Sequence, residues 1–584
     1  MRRSNEEIIQ ALRELAELEK LDEGSAQAFR VRAYDKAIDA IRTAGVDVAE
    51  LGLDELKAIE GIGDHTARRI REFVETGHIG KLDRLRQKYP PGLLELMRIP
   101  GVGPKTVLLL WRRLGVETIE DLQRAIEEHR IQELPRMSAK TEQKIGKAIE
   151  RLGLHGEEHR TPIADALPLA EDIVAALGGL PAVDRVEYAG SLRRFRETIG
   201  DLDIIVASAD PASVMEAFVG LPLVAEVIVQ GETKTSIVTT TRMQVDVRVV
   251  GADQYGAALL YFTGSKAHNI HLRQLALEHG WTLNEYALSE TDGGEVVASS
   301  TEEDIYAALD LPPILPPLRE DRGEIEAGLA GTLPKVVAVD DIVGDLHVHS
   351  AWSGDGRSTL EEMVAAAVER GLEYVAITDH AENLTINGLS RDEVLQQRAR
   401  IEDLRERYPD LTILHGSELN IGKDGSLDYD AEFLMAFDWC VASVHSSFDL
   451  PRDQQTARIV AAMRHRAVDA IGHLTGRRIG IRPGIELDLD EVFDVAAETG
   501  TAIEINSHLD RLDVSADVLF SIRDRDDVVF VIDTDAHHVS ELANIRWGVR
   551  NAQRGWVPAS RVLNTFPRER FLAWGKRARP VNKA

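Results

Sequence analysis

Cysteine is almost missing from the 584 residues: Cys440 stands alone. That excludes a disulfide framework and any cysteine-built zinc finger, and suits a reducing compartment. Long apolar runs are missing too, and no stretch approaches the roughly 18 residues of a membrane span. The N-terminal MRRSNEEIIQALRELAELEK alternates charge with apolar residues at helical spacing, without the unbroken apolar core of a signal peptide. Positive charge is scarce: 68 Lys and Arg face 98 Asp and Glu, a formal net of −30. A polyanion would be repelled by the surface as a whole, so any nucleic-acid site must be a local basic patch. There is no low-complexity tract. What is present is 44% hydrophobic and 28% charged, enough for several cores, and at about 150 residues per domain three or four domains are expected. The expectation is a soluble, intracellular, multidomain protein with no membrane contact.

Residues 1 to 155 carry apolar side chains at helical spacing (Ile8, Ile9, Leu12, Leu15, Ala16) with short Gly-containing breaks. From about Val183 the texture changes to β-branched runs, DIIVAS, EVIVQG, SIVTT and QVDVRVV, interleaved with helical segments. The Pro-rich LPPILPP at 311–317 continues neither element and marks a connection. Beyond Asp341, the apolar strands YVAIT, LTILHG, WCVASVH, TAIEINS and VVFVIDTD alternate with helical segments. This is the βα pattern of a barrel or doubly wound sheet, with chemistry expected at the C-terminal strand ends. The expected division is a helical region 1–155, an α/β region 156–315, a linker 316–340 and a β/α domain 341–584.

Glu60-Gly61-Ile62-Gly63-Asp64 and Pro100-Gly101-Val102-Gly103-Pro104 repeat one pattern, each opening a helix. Two glycines around one apolar residue allow a tight interhelical turn and leave backbone N–H groups at a helix N-terminus to meet a phosphate. Basic residues follow both (Arg68, Arg69, Arg71; Lys105, Arg112, Arg113), and Gly61 to Arg113 holds eleven basic against five acidic residues. The alternative is a solvated helical face. The repeat resembles the helix-hairpin-helix motif, which holds DNA backbone without reading sequence; Gly61, Gly63, Gly101, Gly103 and Lys105 are the implied contacts. A third copy, Leu134-Pro135-Arg136-Met137-Ser138, lacks both glycines and reads as structural.

Gly190-Ser191-Leu192-Arg193-Arg194 is followed by Gly200-Asp201-Leu202-Asp203. Residues two apart on a strand share a face, so Asp201 and Asp203 bring two carboxylates to one point. That is costly without a cation between them. Asp246 lies on a second strand with the same alternation. Three such carboxylates can hold two Mg²⁺ or Mn²⁺ ions, while Gly190, Ser191 and Arg194 offer donors to a triphosphate. These residues resemble the nucleotidyltransferase palm and fingers of family X DNA polymerases, the family of DNA polymerase beta. Tyr261-Phe262-Thr263-Gly264-Ser265, Asn269 and Leu283-Asn284-Glu285-Tyr286 agree with it. The resemblance implies that Asp201, Asp203 and Asp246 are catalytic metal ligands and that Asp246 receives the primer 3′-hydroxyl proton. It implies that Tyr261, Phe262 and Gly264 shape the sugar pocket and that Asn269 lies by the base edge. Tyr261 and Phe262 also suit a core. Members with deoxyribose-phosphate lyase activity use a lysine after the first hairpin. Arg69 stands there, and a guanidinium cannot serve as that amine nucleophile, so lyase activity by that route is expected to be absent or weak.

Ten of the 18 histidines fall between His347 and His538, most at strand ends. Asp345-Leu346-His347-Val348-His349 puts two imidazoles on one strand face, and Asp533-Thr534-Asp535-Ala536-His537 repeats the period of two. Ligands of N and O type without thiolate suit Zn²⁺, Mn²⁺ or Fe²⁺. The pattern resembles the PHP (polymerase and histidinol phosphatase) domain, a distorted β/α barrel holding up to three metals. The ending Asn544-Ile545-Arg546-Trp547-Gly548 to Trp556 resembles the tail of that domain in bacterial family X polymerases. The implied ligands are His347, His349, Asp355, His380, Glu418, His445, His473, Asp535 and His537, in a site for 3′→5′ exonuclease chemistry. The loop bearing Asp355 is one glycine longer than usual in the group. His415, His465, His508 and His538 are expected in structure or support, and Asp379 as an orienting partner.

The chain therefore reads as a DNA-directed DNA polymerase that fills short gaps in base excision repair and trims 3′ ends at a second site. Its implied partners are gapped or primer-template DNA and deoxynucleoside triphosphates, and its implied state is a cytoplasmic, nucleoid-associated monomer. Two other readings stand beside it. One is a PHP phosphoesterase or nuclease whose polymerase portion only binds DNA; the other is a non-catalytic repair scaffold.

Overall fold

The computed structural model describes residues 5–574 apart from 24–28, 44–47, 60, 98, 100–101, 136, 152–159, 293 and 385–386. Residues 1–159 with 480–483 form one packed unit, and the rest of the chain forms a second. In the first, every regular element among the described residues from 5 to 151 is helical, as the apolar spacing predicts. Ile8, Leu12 and Leu15 fall on one face of the helix Asn5–Glu23 and join Ile70 and Leu110 in a single buried cluster. The helices Asp64–Thr76 and Pro104–Leu114 end the same way, on Gly77 at φ +78° and Gly115 at φ +69°, the left-handed cap that suits glycine.

The second unit opens with a five-stranded mixed sheet, in the order Arg185–Tyr188, Asp201–Ala207, Gln244–Val250, Lys234–Thr239, Val224–Gln230. Asp201–Ala207 and Gln244–Val250 run parallel at its centre, and their register sets Asp203 beside Asp246. A small antiparallel sheet over 281–298 and the helices Tyr255–Thr263 and Lys266–Glu278 follow.

Gly344–Val348, Tyr374–Ile377, Thr412–Asn420, Trp439–Ser443, Ala470–Ile471, Ala502–Asn506 and Phe530–Asp533 then pair in sequence order, all parallel. A bridge from Val348 to Ala536 joins the first strand to the segment after the last. The β/α pattern thus resolves as a nearly closed barrel, and its strands are buried, apart from the half-buried ends of Thr412–Asn420, because helices cover the outside.

The segment 316–340, expected as a linker, is built into the second unit. Leu318 and Ile325 are buried in the cluster around Tyr306, and Glu324, fully buried, pairs with His268 at 2.7 Å. The sheet and the barrel also share a seam. Phe195 stacks on Trp547 with ring centroids 5.8 Å apart, and Arg477 makes two bonds to Glu197 at 3.0 and 2.8 Å. Apolar side chains inside a connection bury area that a free linker would leave wet, which is why no break falls at residue 340.

Candidate active sites and nucleic-acid interface

The two hairpin turns are built alike. Ile62 and Val102 are buried, and their N–H groups donate to Ile59 and Ile99 carbonyls at 3.1 and 2.9 Å. Gly63 and Gly103 cap the following helices with the same backbone, φ −77° and ψ 164° or 175°. A Cβ on either would meet nothing within 4 Å, whereas one on Gly61, at φ +95°, would meet the Lys36 carbonyl at 3.1 Å. The first glycine therefore serves the turn, and the second leaves open space at a helix N-terminus. Gly101 lies outside the described residues. Arg68, Arg69 and Arg71 pair with Asp64, Glu72 and Glu75, so part of the first basic run is neutralised locally. Lys105, Arg112 and Arg113 are exposed.

In the sheet, Asp201 and Asp203 share a face and Asp246 sits across from Asp203. Burial, with the neighbouring charges of Asp201 and Asp246, pushes Asp203 up to about 7. Burial would also raise Asp246, but hydrogen bonds from Gln244, Lys234 and Ser236 hold it below the usual carboxylate range. Lys234 Nζ lies 3.1 Å from Asp246 Oδ2. Three carboxylates packed so tightly that one is driven towards neutrality are a donor set that a divalent cation would relieve.

Gly190, at φ +62°, closes one side of this face: a Cβ there would stand 2.7 Å from Asp203 Oδ2. Ser191 follows it in the short helix Gly190–Arg193. Arg194 Nη1 donates to the Thr263 carbonyl, and a Cβ on Gly264 would meet Arg194 Nη1 at 3.3 Å and Asn269 Nδ2 at 3.9 Å. Asn269 donates to the Tyr261 carbonyl at 2.7 Å. Tyr261 and Phe262 are half-buried, 5.0 Å apart edge to face, each under a guanidinium, Arg273 and Arg248. Arg194, Gly264, Asn269 and Tyr261 thus meet at one place. Arg193, by contrast, is structural: its guanidinium bonds Glu302 at 2.9 and 2.8 Å and Glu187 at 2.7 Å.

The histidine-rich residues converge at the C-terminal mouth of the barrel around Glu418. His347 Nε2 and His349 Nε2 each lie 3.5 Å from its Oε2 and His380 Nδ1 lies 2.9 Å from it, while His445 and His473 approach Oε1 at 3.1 and 3.0 Å. Asp535 Oδ1 stands 3.3 Å from His349 Nε2. Asp355 joins the cluster despite its longer loop, 3.1 Å from His380 Nε2 and 3.7 Å from His537 Nε2. His349, Asp355, His380 and His537 can each offer an atom within 4.8 Å of the others, as can His347, His349 and Glu418, and His380, Glu418 and His445. His347 Nε2, His349 Nε2 and His380 Nδ1 are buried and none makes a hydrogen bond. Buried polar atoms left so are costly, and these point at carboxylate oxygens, as ligands of a cation do. Burial, with the charges of His537 and His380, drives His349 down to about 3, so that it stays a neutral imidazole with a lone pair to give.

Several supports were not foreseen. Glu504 lies 2.6 Å from His347 Nδ1, Asn420 Oδ1 2.8 Å from His445 Nδ1, and Asn387 donates to Asp355 at 2.7 Å. Glu504 is the one carboxylate inside the apolar run TAIEINS, a signal the sequence did carry. Asp379, expected to orient a ligand, instead holds the loop after His349, accepting from Ser350, Ser353 and Gln397. It reaches His349 only through Ser353, 3.5 Å from Nδ1. His415 bonds Arg398 and His538 bonds Ser540, both apart from the cluster.

Residues 3–79 match the helix-hairpin-helix domain family and residues 93–151 a SAM-like helix-hairpin-helix tandem. Residues 258–320 match the DNA polymerase beta thumb and residues 345–508 the PHP domain. The chain is 37% identical over 539 residues to DNA polymerase/3'-5' exonuclease PolX of Bacillus subtilis (strain 168), covering 92% of this chain and 93% of that protein. It is 28% identical over 319 residues to DNA polymerase lambda of Rattus norvegicus, covering 49% of this chain and 51% of that protein. A probable phosphatase of Edwardsiella ictaluri (strain 93-146) is 28% identical over 263 residues, covering 41% of this chain and 96% of that protein. With paired hairpins, a three-carboxylate sheet and a histidine-ringed barrel in one chain so closely related to the Bacillus protein, the chain belongs to the family X DNA polymerases that carry a C-terminal PHP domain.

Proposed function

We propose that this chain is a DNA-directed DNA polymerase that fills short gaps during DNA repair and removes 3′-terminal nucleotides at the barrel mouth. The observation that carries the reading is the register of two parallel strands, which gathers Asp203, Asp246 and, on the same face, Asp201, while a second set of ligands surrounds Glu418 in the barrel. Asp201, Asp203 and Asp246 would hold two Mg²⁺ or Mn²⁺. His347, His349, Asp355, His380, Glu418, His445, His473, Asp535 and His537 would hold up to three Mn²⁺, Zn²⁺ or Fe²⁺. Bound divalent ions supply Lewis-acid activation of a hydroxyl or water and neutralise phosphate charge.

The chain's own groups do the rest. Asp246, kept ionised, takes the proton of the primer 3′-hydroxyl. The Gly190 and Ser191 donors and the Arg194 guanidinium hold the triphosphate; Tyr261, Phe262 and Gly264 wall the sugar, and Asn269 faces the base edge. In the helical region Gly61, Gly63, Gly101, Gly103 and Lys105 hold the backbone of gapped or primer-template DNA. The protein works as a cytoplasmic, nucleoid-associated monomer.

Primer extension and 3′-end degradation on a one-nucleotide gap test this. Asp246→Ala abolishes extension and spares degradation, and His347→Ala does the reverse. Loss of both activities in either single variant, with circular dichroism unchanged, contradicts two separate sites.

A further inference from the structure

Arg554 ends the helix Ile545–Arg554, which follows the last strand of the barrel, yet its guanidinium serves the polymerase half. Its side chain is 4% exposed. Nη1 donates to Glu320 Oε1 at 2.7 Å and to the Arg194 main-chain carbonyl at 3.0 Å. Arg194 Nε donates to the same Glu320 oxygen at 3.2 Å, and Arg196 Nη1 lies 3.9 Å from it. Three guanidinium groups therefore share one carboxylate oxygen. Among the described residues Glu320 is the only ion-pair partner of either Arg194 or Arg554. A guanidinium does not shed its proton to relieve such crowding. Glu320 is thus shared between two buried guanidinium groups, and an added anion beside Arg194 would relieve the surplus positive charge.

We propose that Arg554 is a positioning residue for the incoming nucleoside triphosphate. By binding Glu320, it prevents that carboxylate from closing fully on Arg194 and so keeps the Arg194 guanidinium available to the phosphates. The PHP domain thereby sets the nucleotide affinity of the polymerase site, besides any chemistry of its own. This rests on the assignment of Arg194 to the triphosphate under Proposed function.

The test measures kcat and KM for the deoxynucleoside triphosphate in single-nucleotide gap filling by the full chain, as Arg194→Ala, Arg554→Ala, Glu320→Gln and the Arg554→Ala/Glu320→Gln pair. Arg554→Ala raises KM on the order of tenfold, the size of one charge-assisted hydrogen bond, with kcat and 3′-end degradation little changed. Adding Glu320→Gln restores KM, because the competing carboxylate is gone. A residue that merely cements the seam would show no such rescue, since Glu320→Gln would loosen the seam further. An unchanged KM in Arg554→Ala, or a double variant no better than the single, overturns the proposal. If Arg554→Ala does not fold, Glu320→Gln alone decides: KM falls, and an unchanged or higher KM overturns the proposal. An Arg194→Ala variant with normal KM removes the Arg194 assignment itself, and the inference with it.

Discussion

Glu504 Oε1 lies 2.6 Å from Nδ1 of His347, which turns the opposite ring nitrogen, Nε2, towards Glu418 at 3.5 Å. The same carboxylate accepts the main-chain N–H of His473 at 2.5 Å, so one side chain orients the ring of His347 and holds the backbone that carries His473. Outer carboxylates of this kind fix the tautomer and the ring plane of a metal-binding histidine. Glu504→Gln is expected to lower barrel metal content and 3′-end degradation by about 10- to 100-fold and to leave primer extension intact. Elemental analysis and a degradation assay check this, and equal metal loading in variant and wild type would refute it.

The buried Glu302 joins Arg193 and Arg319. Burial alone would raise its carboxyl, but the two guanidinium charges hold it at about 2, against an ordinary value of 4.5. The unfolded chain therefore takes up the proton first as pH falls. The stability is fully present above pH 4.5 and is lost as pH drops towards 2, an effect of about 3 kcal/mol. Glu302→Gln flattens this acid limb and lowers stability at pH 7 by stranding the buried Arg319 and leaving Arg193 to Glu187 alone. Denaturant midpoints at pH 7 and pH 3 give the comparison. A variant whose two midpoints differ as much as those of the wild type would show that Glu302 does not set the slope.

The two glycines of the first hairpin separate stability from binding. Gly61→Ala forces a Cβ into the left-handed region beside the Lys36 carbonyl and costs on the order of 1–2 kcal/mol of stability. A Cβ at Gly63 or Gly103 meets nothing within 4 Å, so Gly63→Val and Gly103→Val cost only the poorer N-cap, up to about 1 kcal/mol each, while affinity for gapped DNA drops because the new side chain blocks the phosphate approach. Normal affinity in the Gly63→Val/Gly103→Val double variant would end the assignment of these turns to DNA.

Salt dependence reads the cations of the second hairpin. Lys105 is exposed beside the open N-terminus at Gly103. Lys105→Ala should weaken binding about equally across sequences and reduce the slope of log affinity against log salt by about 0.9. The slope from a fluorescence titration at several salt concentrations decides it, and an unchanged slope places Lys105 off the backbone.

Much of this site could be read from local spacing. Period two in Asp201 and Asp203, and again in His347 and His349, needs only the alternation of a strand, and the paired glycine turns need only their repeat. Asp355 was legible as a candidate, but its inclusion in the cluster depended on the fold of its loop. Glu504 is not legible in this way, because a single acid in an apolar strand does not say what it faces. The reach of Asp379 towards Ser350, Ser353 and Gln397 could not be told from its neighbours in sequence.

Which elements form and which side chains end them follows from local order along the chain, because helix and strand periodicity and glycine conformation act within a few residues. Which strands lie side by side, with Asp246 against Asp203, and how a nearly closed barrel brings seven strands to one mouth depend on long-range packing. It alone decided that Arg554 reaches Glu320 across 234 residues of chain. Such contacts depend on packing between distant segments, and no local pattern encodes the distance between two side chains that meet only when both of their cores are complete.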